Sequence, residues 1–152
     1  MKLKQISIFI ENVPARLLEV THALGEAGIN LRALNLVDIT DFGVLRLLVS
    51  DVAKARRIMM EKQMPARVDE VVAVEIEDIP GSLAKVLKPL LNANVSVTYM
   101  YAFIGFSSGK AVMIFHFSDI NKAIEILQKN DVKLLDAEAF GMIETRGKGG
   151  IK

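Results

Sequence analysis

Cysteine and tryptophan are absent from the 152 residues, and neither sign of charge is in excess: 19 Lys and Arg stand against 18 Asp and Glu, a net charge of +1. Without cysteine there is no disulfide, no thiolate nucleophile and no cysteine-ligated zinc site. That absence fits a cytoplasmic protein. Balanced charge supplies no field to hold a nucleic-acid backbone or an anionic membrane surface. No apolar run approaches the roughly 18 residues of a membrane span. The start, MKLKQISIFIEN, alternates and is too short and broken for a signal peptide. The expectation is a soluble cytoplasmic protein with neither nucleic acid nor membrane as partner. What the chain does hold is hydrophobic residues, 51% of the total, enough at this length to bury a core.

The chain also repeats itself. ENVPARLLEV at residues 11–20 returns as EDIPGSLAKV at residues 77–86, an offset of 66. Under that shift Ile10 meets Ile76, Glu11 meets Glu77, Pro14 meets Pro80, and Leu17, Val20, Leu24 and Ala27 meet Leu83, Val86, Leu90 and Ala93. Gly43 meets Gly109. Such matches sit where turns and packing restrict the choice of residue, and they indicate a duplicated domain.

Each copy reads alike. Ile6, Ile8 and Ile10 alternate, as do Val72, Val74 and Ile76, which predicts a strand with one buried face. A Pro-bearing loop follows, then apolar residues at helical spacing, with Pro14 or Pro80 near the first turn. Gly28 and Asn94 stand where left-handed C-caps belong. Second strands are predicted at 31–40 and 95–104. Turns follow at Asp41-Phe42-Gly43 and Ser107-Ser108-Gly109, then third strands at 44–50 and 110–117. Asp51 and Asp119 read as N-caps of helices over 52–62 and 120–129, and short fourth strands close the copies at 66–68 and 134–139. The order β-α-β-β-α-β, twice, predicts an α+β protein. It would have two ferredoxin-like units, each an antiparallel sheet with helices on one face, packed together. The expected division is a first domain over 1–68, a second over 69–140, and a mobile tail over 141–152.

These residues carry a family likeness. Glu77-Asp78-Ile79-Pro80-Gly81-Ser82-Leu83 resembles the D-x-P-G-x-L opening of an ACT domain, and Glu11-Asn12-Val13-Pro14-Ala15-Arg16-Leu17 resembles it with Ala15 in place of Gly. Gly28-Ile29-Asn30-Leu31 resembles the G-I-N-I start of the second strand, and Asn94-Val95-Ser96-Val97 is a looser copy. The likeness spans about residues 3–140, as in a stand-alone tandem ACT protein. It implies a non-catalytic regulatory protein that binds a small free amino acid between the loop of one unit and strand two of its neighbour. Signalling would be by changed assembly or partner affinity. The site residues it implies are Asn12, Pro14, Ala15, Arg16, Leu17, Asn30 and Leu31, with Asp78, Pro80, Gly81, Ser82, Leu83, Ser96 and Val97. The physics agrees: a helix N-terminus offers unpaired N–H groups to a carboxylate, and a small residue lets it approach. The other reading is a ligand-free subunit or scaffold, working by contact with a metabolic enzyme or transcription regulator. A homodimer is a further expected partner.

No catalytic constellation stands out. His22 and His116 have no second His and no paired carboxylates at metal spacing, and phosphate-binding glycine motifs are absent, so neither an enzyme, a metal nor a cofactor is expected. Arg56 and Arg57 read as a solvated helix face, and Met59, Met60 and Met64 as fillers around the second helix. Tyr99, Tyr101 and Phe103 alternate opposite Met100 and Ala102, which match Leu34 and Leu36 of the first copy, read as core. The three aromatics read as an exposed row on the helix-free face, suited to a protein partner. RNA-recognition motifs share the topology, but the third strands FGVLRLLV and SGKAVMIF lack their aromatic signature.

Overall fold

The computed structural model describes residues 1–11, 13–39, 41–104 and 109–143. In chain order they form β1 (Leu3–Glu11), α1 (Pro14–Glu26), β2 (Leu31–Ile39), β3 (Phe42–Val49), α2 (Val52–Glu61), β4 (Ala66–Glu77), α3 (Ser82–Asn92), β5 (Val97–Ile104), β6 (Lys110–Phe117), α4 (Ile120–Lys129) and β7 (Lys133–Leu135). Two compact units result. The N-terminal unit is Lys4–Asp69 with Ala137–Lys152, of which 137–143 are described; the C-terminal unit is Glu70–Asp136 with Met1–Leu3. Both are α+β and follow the ferredoxin-like β-α-β-β-α-β order. The fourth strand of one copy and the first of the next are a single strand, β4, with no linker between them.

In the N-terminal unit β3 lies between β2 and β1, antiparallel to both, with Leu45 opposite Leu36 on one side and Ile8 on the other. The Phe9 N–H donates to the Pro65 carbonyl at 2.9 Å just ahead of β4. In the C-terminal unit the order is β7-β4-β6-β5, all antiparallel. Its core gathers Val72, Val74 and Ile76 of β4 with Val86 and Leu90 of α3, Ala123 and Leu127 of α4, and Phe115 and Phe117 of β6. The two phenylalanine rings stack at 5.2 Å.

The helix ends show how closely the copies agree. Gly28 (φ 74°) and Asn94 (φ 58°) are left-handed, as expected, and so are Gln63 and Asp131 (both φ 56°) after α2 and α4. Each of the four helices closes with the same bond across that residue: Ile29 to Leu24, Met64 to Met59, Val95 to Leu90 and Val132 to Leu127, all 2.9–3.0 Å from N to O. These are Schellman endings. Asp51 and Asp119 cap as predicted, each Oδ1 accepting from the N–H three residues on at 3.1 Å.

Several expectations are corrected. The 66-residue shift does not hold past the hairpin. Ile10 pairs with Gly43 but Ile76 pairs with Ala111, so the offset becomes 68 and Gly109 is not the counterpart of Gly43. Ser107 and Ser108 of the second turn lie outside the described residues, as do Arg146–Lys152 of the tail. The strand expected over 134–139 stops at Leu135, and Glu138–Phe140 turns as a 3-10 helix. Met60 is 66% exposed and fills no gap. Leu34 and Leu36 face the helix side of the sheet, yet they are 60% and 48% exposed. Alternation assigns a face and not a depth, and β2 is an edge strand beyond the cover of α1. The aromatic row is not open either. Tyr101, beside Ile114 and Ala73 across the sheet, is buried with them, and Tyr99 stacks on His116 at 4.7 Å. In the N-terminal unit, Gln5 and Ser7 on the helix-free side of β1 are also buried, while Val37 on β2 is exposed.

The segment after β7 belongs to the N-terminal unit. Phe140 and Met142 are buried, the Ile143 N–H donates to the Ser50 carbonyl at 2.7 Å, and Arg32 reaches the Gly141 carbonyl at 3.4 Å.

The two Pro-bearing junctions differ in one backbone detail. Pro14 is the first residue of α1, after Val13. Pro80 lies before the helix, because Gly81 is a left-handed N-cap (φ 87°) and α3 starts only at Ser82. A Cβ at Gly81 would meet nothing within 4 Å, so the constraint there is conformational. Gly81→Ala is therefore expected to cost ~1–2 kcal/mol, and Gly81→Asn less, as read from urea-unfolding midpoints. Equal costs would refute the conformational reading. Asp119→Ala, which uncaps α4, should lose ~1 kcal/mol in the same assay, against ~3–5 kcal/mol for Phe115→Ala in the core.

Candidate functional site

Both Pro-bearing loops end at helices with no side-chain cap, whereas α2 and α4 have one each. At α1 and α3 the first-turn N–H groups therefore lack the carboxylate that satisfies them elsewhere. What surrounds each end differs.

In the C-terminal unit, Asp78, Gly81, Ser82 and Leu83 line one cavity of about 380 Å³. Its other walls are Ile76, Glu77 and Ile79, with Leu87 of α3 and Ala111 and Met113 of β6. The floor is apolar and the rim polar. Glu77 is ion-paired with Lys110, and the Asp78 N–H donates to the Gly109 carbonyl at 2.9 Å, which holds the loop against the start of β6. Pro80, exposed, does not line this cavity.

In the N-terminal unit the expected residues are divided. Pro14, Leu17 and Leu31 line an apolar groove of about 390 Å³ with Leu18, Thr21, Leu34, Leu45 and Leu47. Its one hydroxyl, on Thr21, donates to the carbonyls of Leu17 and Leu18 at 3.0 and 3.2 Å. Arg16 points elsewhere, into a cavity of about 370 Å³ that includes Glu11, Glu19, Phe9, Phe42 and Lys62. Its guanidinium sits 2.9 Å from Glu19 and 3.8 Å from Glu11. A ligand carboxylate would have to compete with both. Ala15, exposed on α1, lines none of these cavities, and Asn12 lies outside the described residues.

Asn30 and Ser96 have a structural task. The Asn30 N–H donates to Ser50 Oγ at 2.9 Å and its carbonyl accepts from the Ser50 N–H at 2.9 Å. Ser96 repeats this with Ser118 at 3.0 and 2.9 Å. These clamps tie the start of each second strand to the end of each third strand. Neither they nor Val97 line the three cavities. Leu87, Ala111 and Met113 were absent from the sequence-derived site. Leu87 follows from the helical spacing of α3, whereas Ala111 and Met113 on β6 lie past the hairpin, where the 66-residue shift no longer holds.

His116 on β6 is held by Thr98 and stacked on Tyr99. His22 is exposed on α1, 3.6 Å from Glu26. Among the described residues no group of three or more His, Cys, Asp or Glu could hold a metal ion, and no helix is long and apolar enough to cross a membrane.

The model of the ACT domain pair family matches residues 1–143. Among solved structures, a protein from Bacteroides thetaiotaomicron is 38% identical, with a TM-score of 0.88 over 94% of this chain and 98% of that one. The regulatory subunit of aspartate kinase from Thermus thermophilus, in its ligand-free form, is 14% identical, with a TM-score of 0.59 over 83% of this chain and 90% of its own. The corresponding subunit from Thermus flavus is 16% identical, with a TM-score of 0.61 over 90% and 92%. At those two identities the likeness is one of fold. No curated protein matches. The duplicated β-α-β-β-α-β order, the Pro-bearing loops and the match over nearly the whole length agree: the chain belongs to the ACT domain pair family.

Proposed function

We propose that this is a non-catalytic regulatory protein that binds a free amino acid at the loop between β4 and α3, and that occupancy changes its assembly or its affinity for a protein partner. The observation that supports this is the junction itself, an uncapped helix N-terminus opening on a cavity with an acidic rim and an apolar floor. The ligand carboxylate takes the N-terminus of α3, beside the Ser82 hydroxyl. Glu77 is already paired with Lys110, so Asp78 takes the ammonium. Leu83, Leu87, Ala111 and Met113 then favour a neutral, apolar side chain over a charged one. A coupling of ~1–3 kcal/mol between ligand and partner is enough for regulation. The likeness to regulatory subunits supports the same reading.

A second reading, a ligand-free subunit that acts on a metabolic enzyme or transcription regulator by contact alone, is favoured by one observation: Leu18, Leu34 and Leu36 are exposed together on the N-terminal unit.

A thermal-shift screen of the purified chain against the twenty amino acids separates the two, with calorimetry on any hit. At 100 times Kd a ligand stabilises by ~2.7 kcal/mol. The expected outcome is one selective hit with an apolar side chain, weakened at least tenfold in Asp78→Asn and in Ser82→Ala. No shift with any of the twenty at millimolar concentration would sink the ligand reading.

A further inference from the structure

The repeat does not account for the segment after β7. In the first copy the fourth strand runs straight on as β4. In the second it is β7, three residues long, and the chain then leaves the C-terminal unit and closes on the N-terminal one. Residues 137–143 are shaped for that closure. The Met142 N–H donates to the Ala137 carbonyl at 3.0 Å across left-handed Gly141 (φ 61°), the same bond that ends the four helices. The segment is thus a self-closed turn, with Phe140 and Met142 as its buried side chains. At its far end the Ile143 N–H meets the Ser50 carbonyl at 2.7 Å. Ser50 already holds Asn30 through its hydroxyl and its own N–H, so the segment fastens on the clamp between β2 and β3. Arg32 adds a second hold at the Gly141 carbonyl, and a Cβ on Gly141 would stand 2.9 Å from Arg32 Nη2.

The near end of the segment is fastened to the strand that carries the candidate site. β7 pairs with β4 at Ala73, Val74 and Glu75, and Lys133 is ion-paired with Glu75 at 3.3 Å. The next three residues along the chain, Ile76, Glu77 and Asp78, line the cavity at α3. Strand pairing and continuous chain therefore join that cavity to the Ser50 clamp. A three-residue strand is a short anchor, and a docked turn opens at lower free energy than the unit beneath it. We propose that residues 137–143 are a latch. They open and close on the N-terminal unit while both units stay folded, and the order of β4 beside β7 decides how far they are closed. An amino acid in the cavity, held between the Asp78 loop and α3, stiffens that end of β4 and closes the latch. That last step rests on the reading of the cavity given above; the latch itself does not.

The absence of cysteine makes the test direct. In Met142→Cys the introduced thiol is the chain's only one. It is inert while buried and reacts with an aromatic disulfide reagent when the latch opens. With no amino acid added, Met142→Cys should be labelled at least tenfold faster than Val20→Cys, a fully buried position on α1 of the same unit. Adding Lys133→Glu sets like charges against each other across β4 and β7 and should speed the labelling of Met142→Cys about fivefold. Adding Lys129→Glu, the same charge change on α4, should not. Equal labelling of Met142→Cys and Val20→Cys would overturn the proposal, since the segment would then open only with its unit. So would an unchanged rate in Lys133→Glu, or an equal rise in Lys129→Glu. If Met142→Cys fails to fold, Ala137→Cys, also buried, takes its place. The labelling is then repeated with each of the twenty amino acids at millimolar concentration. One that raises Tm should slow the labelling of Met142→Cys severalfold, and one that raises Tm without slowing it would refute the coupling. A screen in which none raises Tm removes the amino-acid step alone, and the labelling without amino acid still decides the latch.

Discussion

Each unit depends on one packing constraint: a strand whose alternate residues are apolar must be covered by the helix that follows it. Ile6, Ile8 and Ile10 are buried in one unit with Val20 and Leu24, and Val72, Val74 and Ile76 are packed with Val86 and Leu90 in the other. To place the helix over its own strand the chain must reverse within a few residues, so the loop between them is short and its backbone is tightly constrained. Proline and a small residue suit such a turn. The same reversal leaves the helix N-terminus at the mouth of the sheet. The position that packing dictates is thus one where first-turn N–H groups lack a side-chain cap.

The four left-handed helix ends follow from the same demand. Each helix must return the chain to the sheet in three or four residues. Gly28, Gln63, Asn94 and Asp131 each do so by one left-handed step and one bond back across the turn. Three of the four are not glycine, so the geometry is imposed by closure of the unit and the residue is chosen to tolerate it.

Duplication preserved this frame and let the surfaces diverge. The uncapped end of α3 faces Asp78, Ser82 and an apolar floor. The uncapped end of α1 stands beside a groove of leucines, and its arginine is held by two glutamates. One junction combines an acidic rim with an apolar floor, and the other stands beside exposed leucines.

The fold was legible in the sequence because it rests on local rules: period-two strands, helical spacing, Asp51 and Asp119 as caps, Gly28 and Asn94 as stops. Each needs only near neighbours along the chain. Of the candidate site, the loop residues Asp78, Gly81, Ser82 and Leu83 were legible for the same reason, and Arg16 was legible as a residue but not as one already paired. Depth was not legible. Alternation put Leu34 and Tyr101 on faces correctly, yet the first is exposed and the second buried, because burial depends on what lies across the sheet and on which strand is the edge. Nor was the partnership of Ala111 and Met113 with the Asp78 loop, since the hairpin changes the offset from 66 to 68 and only strand register reveals it. The sequence by itself determined the elements, their order and their caps. Tertiary structure alone decided which apolar residues are core and which are surface, because that is set by contacts between residues far apart in the chain.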